Sequence, residues 1–183
     1  SDFGQVNING HFNYNTIARS VLNMVAAKLP TIPGLTRQPQ KEVNDFTINA
    51  SISNTDWMKY LLGIPLEIYS PLNISGELND KHEKIDLWCD VPSFAYDGNR
   101  FSDAFVNIES PNDTLKADIR IKKLADKGKY MSLQLSAGAS DNHLNTSLSF
   151  GNNERHPLKG VINASTVFAK NIDGVSTAYV DVL

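Results

Sequence analysis

The chain has 183 residues, enough for one medium domain with a substantial core. Its 17 basic and 20 acidic residues leave a net charge of −3 with no basic stripe, which excludes nucleic-acid binding driven by phosphate neutralisation. The single cysteine, Cys89, excludes an internal disulfide, and no apolar run approaches the ~20 residues that a membrane-spanning helix needs.

Residues 3–14 read as a first strand, with Val6, Ile8, Gly10 and Phe12 on one face. Asn15 and Thr16 offer a cap for a helix over residues 15–29, in which Ile17, Val21, Met24, Val25 and Leu29 recur at helical spacing. Pro30 ends it, and residues 31–39, with Pro33, Gly34 and Pro39, form a loop. Phe46, Ile48, Ala50 and Ile52 alternate as a second strand. Asn54, Thr55 and Asp56 then cap a short helix with Trp57, Tyr60 and Leu61 on one side, terminated by Gly63.

Residues 71–183 are a β-meander, joined to the strand, helix and loop part in residues 1–70 as one β-rich domain. Leu115, Ala117, Ile119 and Ile121 alternate with Lys116, Asp118, Arg120 and Lys122. Met131, Leu133, Leu135 and Ala137 do the same, as do Leu144, Thr146, Leu148 and Phe150. Turns fall at Asn79 and Asp80, at Asp97, Gly98 and Asn99, at Asn112 and Asp113, and at Asp126, Lys127 and Gly128. Others fall at Asp141 and Asn142, at Gly151, Asn152 and Asn153, and at Asp173 and Gly174. These residue types tolerate the positive φ of tight turns. Strands so joined are antiparallel neighbours. The expected architecture is therefore mainly β: an antiparallel up-and-down meander of eight or more strands, curled into a trough or an open, barrel-like sheet, with one helix and one short helix.

Period-2 alternation gives this sheet an oily face and a wet one. The helical stripes are too short to cover all of the oily face, so a lipid-lined groove competes with an ordinary closed core. The candidate groove residues are Leu87, Val106, Ile108, Ile119, Ile121, Leu133, Leu135, Leu144, Leu148, Phe150 and Ile162. Cys89 sits on the same register and reads as a small core residue.

Catalytic patterns are missing. His11, His82, His143 and His156 have no metal-ligand spacing, there is no G-x-S-x-G elbow, and Lys159 with Gly160 lacks the rest of a phosphate-binding loop. The residues point away from an enzyme and imply no cofactor and no metal. Sequons at Asn49, Asn73, Asn112, Asn145 and Asn163 follow from a composition rich in Asn, Ser and Thr. Two other readings stand beside the groove. One is a closed-core structural module that offers a sheet edge to a β-strand partner. The other is a glycan-binding β-domain using Trp57, Trp88, Tyr96 and Phe101.

The segment Asn73-Ile74-Ser75-Gly76-Glu77-Leu78-Asn79-Asp80, followed by Lys84-Ile85-Asp86-Leu87-Trp88, resembles the repeat unit of AsmA-like and TamB-type envelope proteins. Pro111-Asn112-Asp113-Thr114-Leu115-Lys116 and residues 139–147 are similar to the TamB-type proteins of Bacteroides-like bacteria, as are residues 15–35 and 53–57. The resemblance covers most of the chain and implies an internal fragment of a very large protein, which the start without Met and the strand-like end at Leu183 also suggest. By that resemblance the parent is anchored in the inner membrane and spans the periplasm as a folded-over sheet, a β-taco. Its ligands are phospholipids or other acyl chains, and its partner is an outer-membrane barrel-assembly protein. The helix over residues 15–29 departs from a pure strand array and suggests a plug or cap on the groove.

Overall fold

The computed structural model describes residues 3–39 and 41–183. In chain order the elements are β1 (Gly4–His11), α1 (Tyr14–Lys28), β2 (Asp45–Ile52), α2 (Asp56–Leu62), β3 (Leu66–Ile68), β4 (Leu72–Asn79) and β5 (Lys84–Tyr96). They continue with β6 (Asn99–Glu109), β7 (Leu115–Leu124), β8 (Tyr130–Ser140), β9 (His143–Asn152), β10 (Lys159–Lys170) and β11 (Ser176–Val182). All eleven strands join one antiparallel sheet in the order β1-β2-β4-β5-β6-β7-β8-β9-β10-β11, with β3 pairing the far end of β5. The sheet does not close, since β1 and β11 stand at its two edges.

The turn chemistry sets this register. Asn112 and Asp113 (φ 47° and 62°) and Asp141 and Asn142 (φ 48° and 62°) each place two left-handed residues in succession, which matches the right-handed twist of the flanking strands. Asp97 and Gly98 do the same between β5 and β6. Several details differ from the sequence expectation. The cap of α1 is Asn13, not Asn15: its side-chain oxygen accepts the Asn15 N–H at 3.0 Å. Gly151 and Asn152 remain in β9, where they pair with Lys159 and Met131, so the connection to β10 is residues 153–158. β6 carries a bulge between Ser102 and Phe105, with Asp103 at φ 52°.

α1 lies across the strand ends as a crossbar. Fifteen residues make a rod of about 22 Å, long enough to reach across several strands at their usual spacing. At its first turns, Ser20 Oγ donates to Asp80 Oδ2 (2.9 Å) beside the β4–β5 turn. At its last turn the Asn142 N–H, in the β8–β9 turn, donates to the Lys28 carbonyl (2.9 Å). Met24, between these anchors, and Leu29, just past the second, are buried against Leu78, Ile85, Leu115, Ala139 and Phe168, with Val21, Val25, Phe46, Leu87, Ile108 and Leu144 packed around them. The core is thus concentrated at one end of one face of the sheet. α2 adds little to it. It sits beside β3, and Trp57, Tyr60 and Leu61 are 39%, 83% and 77% exposed, so the side expected to face the sheet faces solvent instead.

Candidate functional site

Directly opposed residues in an antiparallel ladder share a face, so the register sorts the candidate residues into rows. One long row runs Val6, Ala50, Ile74, Cys89, Val106, Ile119, Leu135, Leu148, Ile162, one residue from each strand in line from β1 to β10. At the usual inter-strand spacing that row is about 38 Å long. One row toward α1 lie Leu87 and Ile108, followed by Ala117, Ala137, Thr146 and Ala164. One row away from α1 lie Ile121, Leu133 and Phe150, ending on Gly160. Leu144 opposes Ala139 in the row directly beneath the helix.

All eleven candidate groove residues therefore share one face, but α1 divides them. Leu87, Ile108 and Leu144 pack into the cluster beneath the helix. Val106, Ile119, Ile121, Leu133, Leu135, Leu148, Phe150 and Ile162 lie in the rows beyond it. They range from half-buried to openly exposed, with Leu133 at 38% and Ile162 at 47%. The Phe150 ring lies over Gly160, where an added Cβ would come within 2.5 Å of its tip. The two outer rows thus form an apolar strip whose far end is floored by a glycine and a phenyl ring.

Cys89 is half-buried in the long row, on the apolar face that its register predicted. Burial pushes its thiol above the ordinary value, and the negative charge of Asp90 adds to the shift. The thiolate is the nucleophile, so Cys89 reacts with iodoacetamide at pH 8 several-fold more slowly in the folded protein than in urea. Equal rates would show that the row is open to water at Cys89. The same shift lowers stability in alkali. Above the ordinary thiol range the unfolded chain loses its proton first, so the folded state binds more protons and stability falls as pH rises.

The opposite face is polar. One of its rows runs Asn73, Asp90, Phe105, Arg120, Gln134, Ser149, Val161. A cleft of about 1390 Å³ lies over this side, lined by residues of β5 to β10, with Ile121, Leu133 and Phe150 of the strip among them, and by the 153–158 connection. Its polar groups are largely engaged with one another. Lys122 pairs with Asp103 at 2.7 Å, a hydrogen bond that raises the lysine pKa. The side chains of Asn152 and Asn153 accept the N–H groups of Leu158 (2.9 Å) and Tyr130 (2.8 Å). Arg120 lies 4.3 Å over the Phe105 ring, which meets Trp88 edge-on at 6.3 Å. This furrow is the solvated side of the sheet, tied together by its own side chains. Nor do the aromatic candidates gather into one platform. Trp88 pairs with Asn107, whereas Phe101 stacks on Phe94, six positions further along β5 and about 20 Å away.

No protein-family model, curated protein or solved structure matches the chain. Among the described residues no helix is long and apolar enough to cross a membrane.

Proposed function

We propose that the apolar strip beyond α1 is a groove for the acyl chains of phospholipids or fatty acids, in a protein of lipid transfer or outer-membrane assembly. The observation that carries this reading is the continuous row from Val6 to Ile162, which lies outside the cluster packed beneath α1 and, apart from the buried Ala50, is half-buried to exposed. A row perpendicular to the strands suits a flexible chain. Each CH₂ moved from water onto such a wall contributes up to ~0.8 kcal/mol, with no need for polar anchors. The absence of convergent charges over the strip fits a conduit that accepts many chains rather than a site that selects one. α1, clamped at both ends of its length, serves as the fixed side wall. In this reading the cellular setting is the periplasm, and an outer-membrane barrel-assembly protein is the further partner. Both rest on the resemblance of residues 73–88 to TamB-type units.

The test is native mass spectrometry with lipid extraction, on protein purified from bacterial envelopes without harsh detergent. Bound phospholipid or fatty acid is the expected result. Leu133→Arg and Leu148→Glu are expected to abolish co-purification while leaving the circular dichroism spectrum unchanged. Normal folding with undiminished lipid would move the groove elsewhere, and loss of the fold would mark this face as an ordinary core. Cys89 supplies an independent reading, because it lies in the same row. Added oleate should slow its alkylation further in the wild-type chain.

A further inference from the structure

The ties within the polar cleft leave one well-held cation unmet. The Arg120 guanidinium lies 4.3 Å over the Phe105 ring, and Trp88 meets that ring edge-on at 6.3 Å. Of the aromatic candidates Trp88 alone takes part, as a prop behind Phe105. A guanidinium stacked on a ring covers one of its faces and keeps its edge, with all five N–H donors, for a partner. Among the described residues no carboxylate pairs with it. The neighbouring charges are mostly matched: Lys122 pairs with Asp103 at 2.7 Å, and Glu154 with Lys129 at 2.5 Å. Asp90 on β5 and Lys159 on β10, at the two ends of the cleft, have no such partner among the described residues. The register sets uncharged groups between them. Arg120 opposes Gln134, and Gln134 opposes Ser149. Neither the Gln134 amide nor the Ser149 hydroxyl makes a hydrogen bond among the described residues. Asp90, Phe105, Arg120, Gln134 and Ser149 therefore stand side by side, one from each of β5 to β9, about 4.8 Å apart.

We infer that this cleft binds an acidic oligosaccharide, laid across the strands along that row. The guanidinium fork matches a sugar carboxylate through two parallel hydrogen bonds. Gln134, Ser149 and Asp90 supply the donors and acceptors that ring hydroxyls need. The strand spacing is close to the length of one pyranose unit in an extended chain, so successive residues of the row meet successive sugars. At about 1390 Å³ the cleft exceeds the roughly 300–1,000 Å³ of a typical small-molecule pocket, which suits several sugars rather than one. Lys159, in the next row of the same face, offers a second cation for the acid of a further sugar. An acidic peptide is the rival occupant. Its backbone would find no ladder here, because β5 to β9 are already paired on both sides. The row lies on the face opposite the acyl strip, so this site stands independently of the groove.

The test is calorimetric titration of the 183-residue chain with tetragalacturonate, cellotetraose, tetraglutamate and inorganic phosphate. Tetragalacturonate should bind at least about tenfold more tightly than each of the other three. Arg120→Lys keeps the charge and loses the fork, and should weaken binding by about tenfold. Gln134→Ala should weaken it by about threefold. Gln134 is exposed and its side chain makes no bond among the described residues, so this variant reports on binding with the melting temperature kept. No binding of tetragalacturonate at millimolar concentration, by calorimetry and by equilibrium dialysis, overturns the site. So does unchanged affinity in both variants. Equal affinity for cellotetraose overturns the role of the charge, and equal affinity for tetraglutamate overturns the sugar in favour of an acidic peptide. Equal affinity for phosphate leaves an anion site with no sugar recognition, which also overturns the proposal.

Discussion

Asn44→Ala is expected to lower stability by about 3 kcal/mol, more than any single substitution on the exposed parts of the sheet. Asn44 has no solvent exposure, and the structure uses its polar groups on both sides. Its side-chain oxygen accepts the Asn13 N–H (2.8 Å), and its amide nitrogen donates to Thr16 Oγ1 (3.1 Å) and Ser20 Oγ (2.8 Å). Its own N–H donates to Asp80 Oδ2 (2.7 Å), and its carbonyl accepts the Asp80 N–H (2.9 Å). The alanine keeps the two backbone bonds, leaves the Asn13 N–H without its acceptor, and takes one bond each from Thr16 Oγ1 and Ser20 Oγ, which keep those to the Asn13 carbonyl and to Asp80. A buried donor or acceptor left without a partner costs roughly 1–3 kcal/mol, which is why the loss exceeds that of one ordinary hydrogen bond. For a chain of this size the melting temperature should fall by about 6–12 °C. A fall under about 2 °C would mean that the network around Asn44 is not closed in solution.

Asn142 supplies the comparison at the other end of α1. Its side-chain oxygen accepts the N–H and the hydroxyl of Thr31, both at 2.9 Å, while its backbone stands at φ 62°. Asn142→Gly keeps that backbone conformation and removes only the clasp, so a cost of about 1 kcal/mol is expected. The two substitutions therefore weigh the two clamps of the crossbar separately. Asn44→Ala should also raise hydrogen exchange in the first turns of α1 before the sheet itself opens, because the helix start is tied to the sheet largely through this cluster.

The meander was legible because one physical rule repeats along it. Side chains alternate between faces, and Leu133, Leu135, Leu148 and Ile119 keep that alternation without a break. The register then follows from turns whose residue types demand left-handed backbone. What escaped the sequence depends on contacts between distant segments. β3 is three residues long, too short to display a period, and exists because Leu66 to Ile68 find the free end of β5. The bulge in β6 left no mark in the alternation, since it lies before Phe105 and Val106, which go to opposite faces as in a regular strand. Phe105 does go to the polar face, where Arg120 covers it. Asn44 reads as one more loop asparagine, because its role rests on Asn13, Ser20 and Asp80, which are remote in sequence. The aromatic side of α2 looked like a covering stripe, but seven residues beside a three-residue strand have too little surface to bury it against. As for the groove, the alternation identifies the oily face. It does not say that α1 covers only the rows at the turn end, because that depends on where the helix ends are tied.

Gly76→Ala should be the most damaging glycine substitution in the middle of the sheet. β4 passes β5 so closely at this point that a Cβ on Gly76 would lie 2.1 Å from the Asp86 carbonyl oxygen and 2.9 Å from the Leu87 Cα. Both are backbone atoms, so no side chain can swing aside, and the strands must separate. Gly76 opposes Leu87 on one side and Ile48 on the other, so separation there breaks the ladder between β2 and β5 and unseats Leu78 and Ile85, which hold α1. Overpacking of this sort costs about 3 kcal/mol or more when the backbone itself must move. Gly138, in β8, is the control. An added Cβ there meets nothing within 4 Å, and its φ is not in the left-handed region. Gly138→Ala should therefore be neutral or stabilising by roughly 0.4–1 kcal/mol, through the reduced freedom of the unfolded chain. Urea unfolding of both variants measures the difference. If Gly76→Ala unfolds at the wild-type midpoint, β4 and β5 are not as close as their register at Gly76 requires. The wall that carries Ile74, Cys89 and Leu87 would then have to be drawn differently.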